Sequence, residues 1–551
     1  MPTVTEISDR YITEVADLDP VRGERWGVKS DGTRLTDYSP AGMQALADLL
    51  GRTLRDVTAA TPESEAERLG AGFLADWVSG ELGVIEAGER ERMISIITGA
   101  PASTRSVFDL MDRSTPEAWD TIRARLSAVP KALGGYRESL EAGLDHGRPA
   151  ARRQALAVAA QCETWAGNGT GGWFGTFVSE YGDGSARAGL DAAAHTAATA
   201  YGELGAWLRN DYAPRANEDD ASGDERYRVW GRFILGTDID LDEAYTWGWE
   251  ELGRLEAQKA IEVERILPGG SFEDVRELLL HDPKRLIHGV DAYREWLQYV
   301  TDEAISGLDG RQFEIDPSIR RCEVRIPPEG SAAAAYYNPP SEDLKRPGTT
   351  WFPTIGRKAF ATWDEVSTVY HEAVPGHHLQ GATIRLVPLT RAQKLGFVSA
   401  HGEGWALYSE RLMDELGWFR TPETRLGFLC AHAFRAARVV VDIGLHTKRP
   451  IAAGWPNAGE AWTYERAVDF MLRAGGMERA AGESEVLRYL SWPSQATAYK
   501  LGERAWLAGR EAARAAAAAD GREFDLKRWH ANALALGPLG LDRLGAELAK
   551  A

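Results

Sequence analysis

The segment His371-Glu372-Ala373-Val374-Pro375-Gly376-His377-His378 decides how this chain is read. Three of the chain's 11 histidines fall within it, with a glutamate beside the first. In the pattern His-Glu-x-x-His on a helix, two imidazoles one turn apart share one metal ion. The glutamate between them takes a proton from the attacking water. Here the first half of that pattern is intact and the second histidine is delayed. Six residues of regular helix rise roughly 9 Å, too far for two imidazoles to meet at one ion. Pro375 and Gly376 supply a remedy. A proline lacks its N–H and clashes with the carbonyl four residues back, here that of His371. A glycine accepts backbone angles closed to other residues. The segment therefore predicts a helix broken at Pro375-Gly376, with His377 or His378 returned to the ion. His377 is favoured, because a two-residue insertion disturbs the pattern less.

A catalytic zinc commonly has three protein ligands and one open position. The third candidate is Glu403, in His401-Gly402-Glu403-Gly404-Trp405-Ala406-Leu407-Tyr408-Ser409-Glu410. It follows His371 by 32 residues, enough for one helix to end and a second to pack back against it. Gly402 and Gly404 would let another helix or a substrate come close. Glu410, near the same helical face, is placed to orient a ligand. His401 is a rival ligand that points elsewhere on the helix.

The segments His371–Gln380, Glu403–Tyr408, Arg435–His446 and Pro493–Tyr499 together resemble the bacterial family catalogued as domain of unknown function 885. The resemblance covers most of the chain. It implies a mainly α, zincin-like helical metallopeptidase fold with a deep cleft and a small β-sheet, similar in outline to thimet oligopeptidase and carboxypeptidase Taq. Against those relatives' uninterrupted His-Glu-x-x-His, the delayed histidine is a departure. The related peptidases use a tyrosine to donate to the tetrahedral oxyanion, and Tyr499 is the candidate here.

Arg438, Asp442 and His446 recur at four-residue spacing and so share a helix face. They form either a polar row lining the cleft, where Arg438 or His446 meets substrate, or an ion pair between Arg438 and Asp442 within the helix. Gln495 and Tyr337 are further candidates for substrate contact. The strand-like stretch from Ala332 to Tyr337 would offer an edge to an extended peptide, or form a plain hairpin.

Away from the site most of the chain reads as helix. Apolar residues recur every three or four positions over 41–54, 115–141, 150–164, 183–208, 241–265 and 275–280. Gly167 to Gly172 punctuate these runs, and Ala515 to Ala519 are plain helix. Asp240 is the expected N-cap of the fifth run, with Glu243 completing a capping box. Strand is expected at 322–326, 331–337 and 349–352, interrupted by prolines. Pro214 to Glu225 lacks apolar periodicity and divides an N-terminal helical region, 1–224, from a catalytic metal-binding region, 225–551, expected as lobes of one continuous architecture.

Composition bounds the partners. The chain has 551 residues, 44% of them hydrophobic, and 63 basic against 82 acidic side chains, a net charge of −19. That balance disfavours nucleic acid. No uninterrupted apolar run is long enough to span a membrane. The three cysteines are far apart and odd in number, which points to a reducing compartment. The first residues show no basic region followed by an apolar one, so no secretory signal is read and a cytoplasmic protein is expected. The lead expectation is a zinc-dependent hydrolase of short peptides or small amides. Zn²⁺ would be held by His371, His377 or His378, and Glu403, with Glu372 as general base and Tyr499 or His446 assisting. The alternatives are a metal-dependent hydrolase or lyase of a small metabolite, and a helical binding protein with a structural metal.

Overall fold

Apolar residues at three- and four-residue spacing become helices through most of the chain. The computed structural model describes residues 2–28, 31–167, 172–327, 334–341 and 344–551. Side-chain caps set several starts: Ser39 caps Pro40–Ala59, and Thr115 caps Pro116–Asp145. The next two expected runs form Arg152–Ala166 and Arg187–Trp207. Asp240 caps Leu241–Ile266 by accepting from the backbone N–H groups of Asp242 and Glu243. The return half of the expected capping box does not form. Glu243 instead receives Arg504 Nη1 at 2.9 Å, a charge-assisted contact across helices. The expected irregular stretch runs between a short turn, Ala213–Arg215, and the helix Asp224–Leu235, so Glu225 is already helical.

Two small sheets interrupt the helices. Cys322–Arg325 lies parallel to Gly348–Trp351, which pairs antiparallel with Tyr336–Asn338, Tyr337 facing Thr350. Leu286–His288 pairs with Ala359–Ala361. The expected strand over 331–337 is realised only at its end, and residues 331–333 lie outside the described residues. The fold is thus mainly helical with little sheet.

Core packing does not follow the sequence boundary near residue 224. One core joins Val15, Leu50 and Leu74 to Trp405, Val440 and Leu544. A second, built around Phe108, Leu126, Phe174 and Tyr201, belongs to the segment from about Ile94 to Ala213 with Val21 added. The first helices therefore pack with the region that follows residue 224. No helix among the described residues is long and apolar enough to cross a membrane.

Five helices position the site: Glu365–Glu372, His377–Leu386, Ser399–Glu415, Pro422–Thr447 and Ala498–Ala519. The third and fifth cross with no side chain between them. A Cβ on Gly404 would stand 2.4 Å from the Gly502 carbonyl carbon. That is what Gly404 is for, whereas Gly402 leaves room for the Phe397 ring, 2.3 Å from its would-be Cβ.

Candidate metal centre

The first of these helices ends at Glu372 and the next starts at His377. Between them the Val374–Pro375 peptide is cis. Gly376 donates its N–H to the Tyr370 carbonyl at 3.0 Å, and His378 to that of Ala373 at 3.0 Å. Trp405 clamps the break from the facing helix, its Nε1 donating to the Pro375 carbonyl at 2.9 Å. The bend turns the His377 ring to the His371 ring, centroids 4.8 Å apart and nearly perpendicular.

Glu403 reaches both. Its Oε2 lies 3.4 Å from His371 Nε2 and 3.5 Å from His377 Nε2. One ligand atom from each of the three residues falls within 4.8 Å of the others. Four ligands at zinc's usual bond lengths, in a tetrahedron, stand about 3.4 Å apart. The two nitrogen–oxygen separations match that spacing, and two imidazoles with one carboxylate suit zinc. The residues fit the ion that the sequence implies.

The neighbours of the cluster orient it. His371 Nδ1 donates to Glu410 Oε1 at 2.7 Å, which leaves Nε2 with its lone pair free for a metal. Ser367, one turn earlier, donates to the other oxygen of Glu410. Behind Glu410 stands a buried charge network, with His432 Nε2 at 3.6 Å and then Lys500, Glu503, Glu251 and Arg411. Burial opposes protonation of His371, but Glu403 and Glu410 outweigh it and raise the imidazole to about 9. Burial would raise Glu403, yet its contacts with His371 and His377 hold it well below the usual carboxylate range. The cluster is built around a positive charge, which a divalent cation would supply on displacing that proton.

The family profile described as "Bacterial protein of unknown function (DUF885)" matches residues 20–548. The chain belongs to this family. Two solved structures share the DUF885 chain's fold. A "putative lipoprotein" from Colwellia psychrerythraea superposes with a TM-score of 0.84 at 20% identity, covering 100% of this chain and 99% of that one. A second, from Shewanella oneidensis and of unknown function, gives 0.77 at 17% identity and covers 99% of each chain. No curated protein matches the chain.

Of the other expected residues of this DUF885 protein, some join the site and some do not. Glu372 is 8% exposed and its side chain makes no hydrogen bond or ion pair among the described residues. Tyr499 starts the helix that crosses the Glu403 helix. The Glu403 charge acts on its phenol, and burial raises the phenol above its ordinary value, so it stays a proton donor. His378 does not join the cluster. Its Nε2 donates to the Ile319 carbonyl at 2.8 Å and its Nδ1 accepts from Tyr337 at 3.2 Å. Both ring nitrogens are spent, one on the short turn Pro317–Ile319 and one on the small sheet, and the second bond occupies Tyr337. His401 turns away to Gln380 Nε2 at 3.3 Å, as the helical spacing requires.

The polar row on Pro422–Thr447 splits, with Arg438 going its own way while Asp442 Oδ1 stays 3.8 Å from His446 Nε2. Arg438 donates to Glu485 Oε2 at 3.0 Å, so it forms no ion pair with Asp442. Asp442 accepts from Tyr227 and from the Ser494 N–H. His446 accepts from the Ser222 N–H at 3.2 Å and donates to the Tyr489 carbonyl at 3.0 Å. His446 is fully buried, with both ring nitrogens bonded to backbone, and it is not among the residues that converge at the metal cluster. Gln495 accepts from Arg488. Ser367, His432 and Lys500 escaped the sequence reading. Ser367 alone had a local signal, standing four residues before His371.

Proposed function

We propose that this protein is a zinc-dependent hydrolase of peptide or related amide bonds, with a zincin-like arrangement of its site. The observation that carries this is the convergence of His371, His377 and Glu403 beside an unbonded Glu372. Bound zinc would supply a Lewis acid and lower the pKa of water at the open position. Glu372 takes the proton of the attacking water and hands it to the leaving amine. Glu410 holds His371 in the tautomer that presents Nε2. Tyr499, whose hydroxyl makes no hydrogen bond among the described residues, donates to the developing oxyanion.

A structural metal would need a closed set of four ligands. Among the described residues neither His378 nor His401 joins the cluster, so this reading has less support. The three unpaired cysteines support a reducing, cytoplasmic setting. The solved relatives are called lipoproteins, so cell fractionation tests that setting.

The test is bound zinc and hydrolysis of a short-peptide library and a panel of metabolite amides, for wild type and Glu372→Gln. Retained zinc with lost hydrolysis is expected. Undiminished hydrolysis in the variant would remove Glu372 from its role. Cleavage confined to the metabolite panel would move the substrate away from peptides.

A further inference from the structure

Positive charge exceeds negative around Tyr499. The guanidinium carbon of Arg438 lies 4.6 Å from the Tyr499 ring centroid, and that of Arg435 6.0 Å. Arg488 stands beside them and holds Gln495. One carboxylate serves two of these three arginines. Glu485 Oε2 accepts from Arg438 at 3.0 Å, from Arg488 at 2.9 Å and from the Tyr489 hydroxyl at 2.7 Å. Arg435 forms no ion pair among the described residues, and its one hydrogen bond runs to the Ala431 carbonyl in its own helix, 3.1 Å away. The Nε atoms of Arg435 and Arg438 are both buried without an acceptor.

Buried donors of a charged group without acceptors are costly, and native structures seldom keep them idle. The carboxylates nearby are already engaged: Glu403 by two histidines, Glu410 by His371 and Ser367. Arg435 lies three residues after His432 on the same helix, and His432 Nε2 is 3.6 Å from Glu410, the carboxylate that holds His371, so this arginine stands near the metal cluster. Arg438 is 7% exposed, and the side chains of Arg488 and Glu485 keep 12% and 20% of their surface open, so a bound group has a route in.

Resting on the hydrolase reading above, we infer that Arg435 and Arg438 form a subsite for a carboxylate of the substrate, beside the metal centre. The substrate is then an anionic peptide or amide whose carboxylate lies close to the scissile bond. The guanidinium fork matches a carboxylate in shape as well as charge. Tyr499 carries Arg438 over its ring, and its helix crosses the Glu403 helix at Gly404 and Gly502, so it links the subsite to the metal cluster.

The experiment uses full-length Glu372→Gln protein with added zinc. Two pools of N-acetylated dipeptides are offered, one with free carboxylate ends and one with carboxamide ends, and retained members are counted by mass spectrometry. Retention of the carboxylate pool roughly 10- to 100-fold above the amide pool is expected. Adding Arg435→Gln should bring that ratio close to one, while Arg435→Lys keeps part of it. Arg435 is chosen because it holds no ion pair whose loss would unfold the chain. Amide-pool members ending in Asp or Glu that are retained like the carboxylate pool would assign the subsite to an acidic side chain, and retention of carboxylate-pool members without Asp or Glu would assign it to the chain end. Equal retention of the two pools, retention of neither included, overturns the subsite. Carboxylate-selective retention with no hydrolysis by wild type keeps the subsite and removes the hydrolase reading. Hydrolysis of both pools at one rate does the reverse.

Discussion

Gly376 shows how one residue makes the site. A Cβ placed on it would stand 1.9 Å from the His371 carbonyl oxygen and 2.4 Å from that of Tyr370. Both oxygens belong to the turn that His377 must fold back over. Gly376→Ala should therefore destabilise the chain by about 1–3 kcal/mol, the usual cost of forcing atoms into packed space, and weaken zinc binding more than stability alone explains. Urea unfolding and zinc titration check both parts, and unchanged zinc affinity would mean the break tolerates a side chain. His530 offers a second residue-scale test. It is fully buried, accepts from Tyr408 at 2.7 Å, and donates to the Gln312 carbonyl at 2.9 Å. Burial lowers its imidazole to about 3. The folded value lies below the ordinary one near 6.5, so its contribution is full above pH 6.5 and drains as the pH falls toward 3. His530→Phe should lose stability less steeply than wild type between pH 6.5 and 4.5, by about 1.4 kcal/mol per pH unit. Parallel slopes would mean that His530 titrates normally in the fold. At this scale the sequence was informative where spacing alone decides. The interval from Glu403 to Glu410 already set one carboxylate over the cluster and one behind it. It left His377 and His378 unresolved, because that choice depends on a carbonyl at Ile319 and a hydroxyl at Tyr337, both brought in by the fold.

At the scale of elements, the helices at the site are tied by a buried network more than by their boundaries. Lys500 has no exposed side-chain surface and lies 2.8 Å from Glu251 Oε1 and 3.3 Å from His432 Nδ1, with Glu503 closer still. One ammonium group thus joins Leu241–Ile266, Pro422–Thr447 and its own helix. Removing one partner from such a buried set leaves charges uncompensated, at a cost of about 3–5 kcal/mol. Lys500→Met should show that loss in urea unfolding. It should also weaken zinc binding, since His432 links the network to the carboxylate holding His371. A loss below about 1 kcal/mol would mean that Arg411, which already touches Glu251 and Glu503, neutralises both. The helices themselves were legible because apolar spacing repeats along them. Their partners were not. Nothing local to Lys500 marks it as buried, and Glu485 lies 47 residues from the Arg438 it serves.

At the scale of the molecule, the candidate ligands come from three helices, the first two separated by the break at Pro375-Gly376 and the last two by the short helix Arg391–Leu395, and those helices share one core with residues such as Ile7, Leu50 and Val84. The two regions are expected as lobes of one continuous architecture, and the loop near 224 marks where the chain is irregular and not where its apolar faces pack. A ligand that binds only the folded arrangement stabilises all of it, by about 4 kcal/mol at a thousand times its dissociation constant. Zinc should therefore raise the unfolding midpoint of the whole chain and protect amides well beyond the site from exchange. The histidines separate the explanations. His377→Ala should abolish the zinc-dependent rise, since it removes a ligand. His378→Ala should start less stable, having lost its bonds to Ile319 and Tyr337, yet keep the full rise. If His378→Ala lost the response and His377→Ala retained it, the cluster drawn here would be the wrong one. Since the first variant keeps its clamp and the second its ligands, stability without zinc and the gain on adding it move independently, and a folding defect cannot pass for a metal defect.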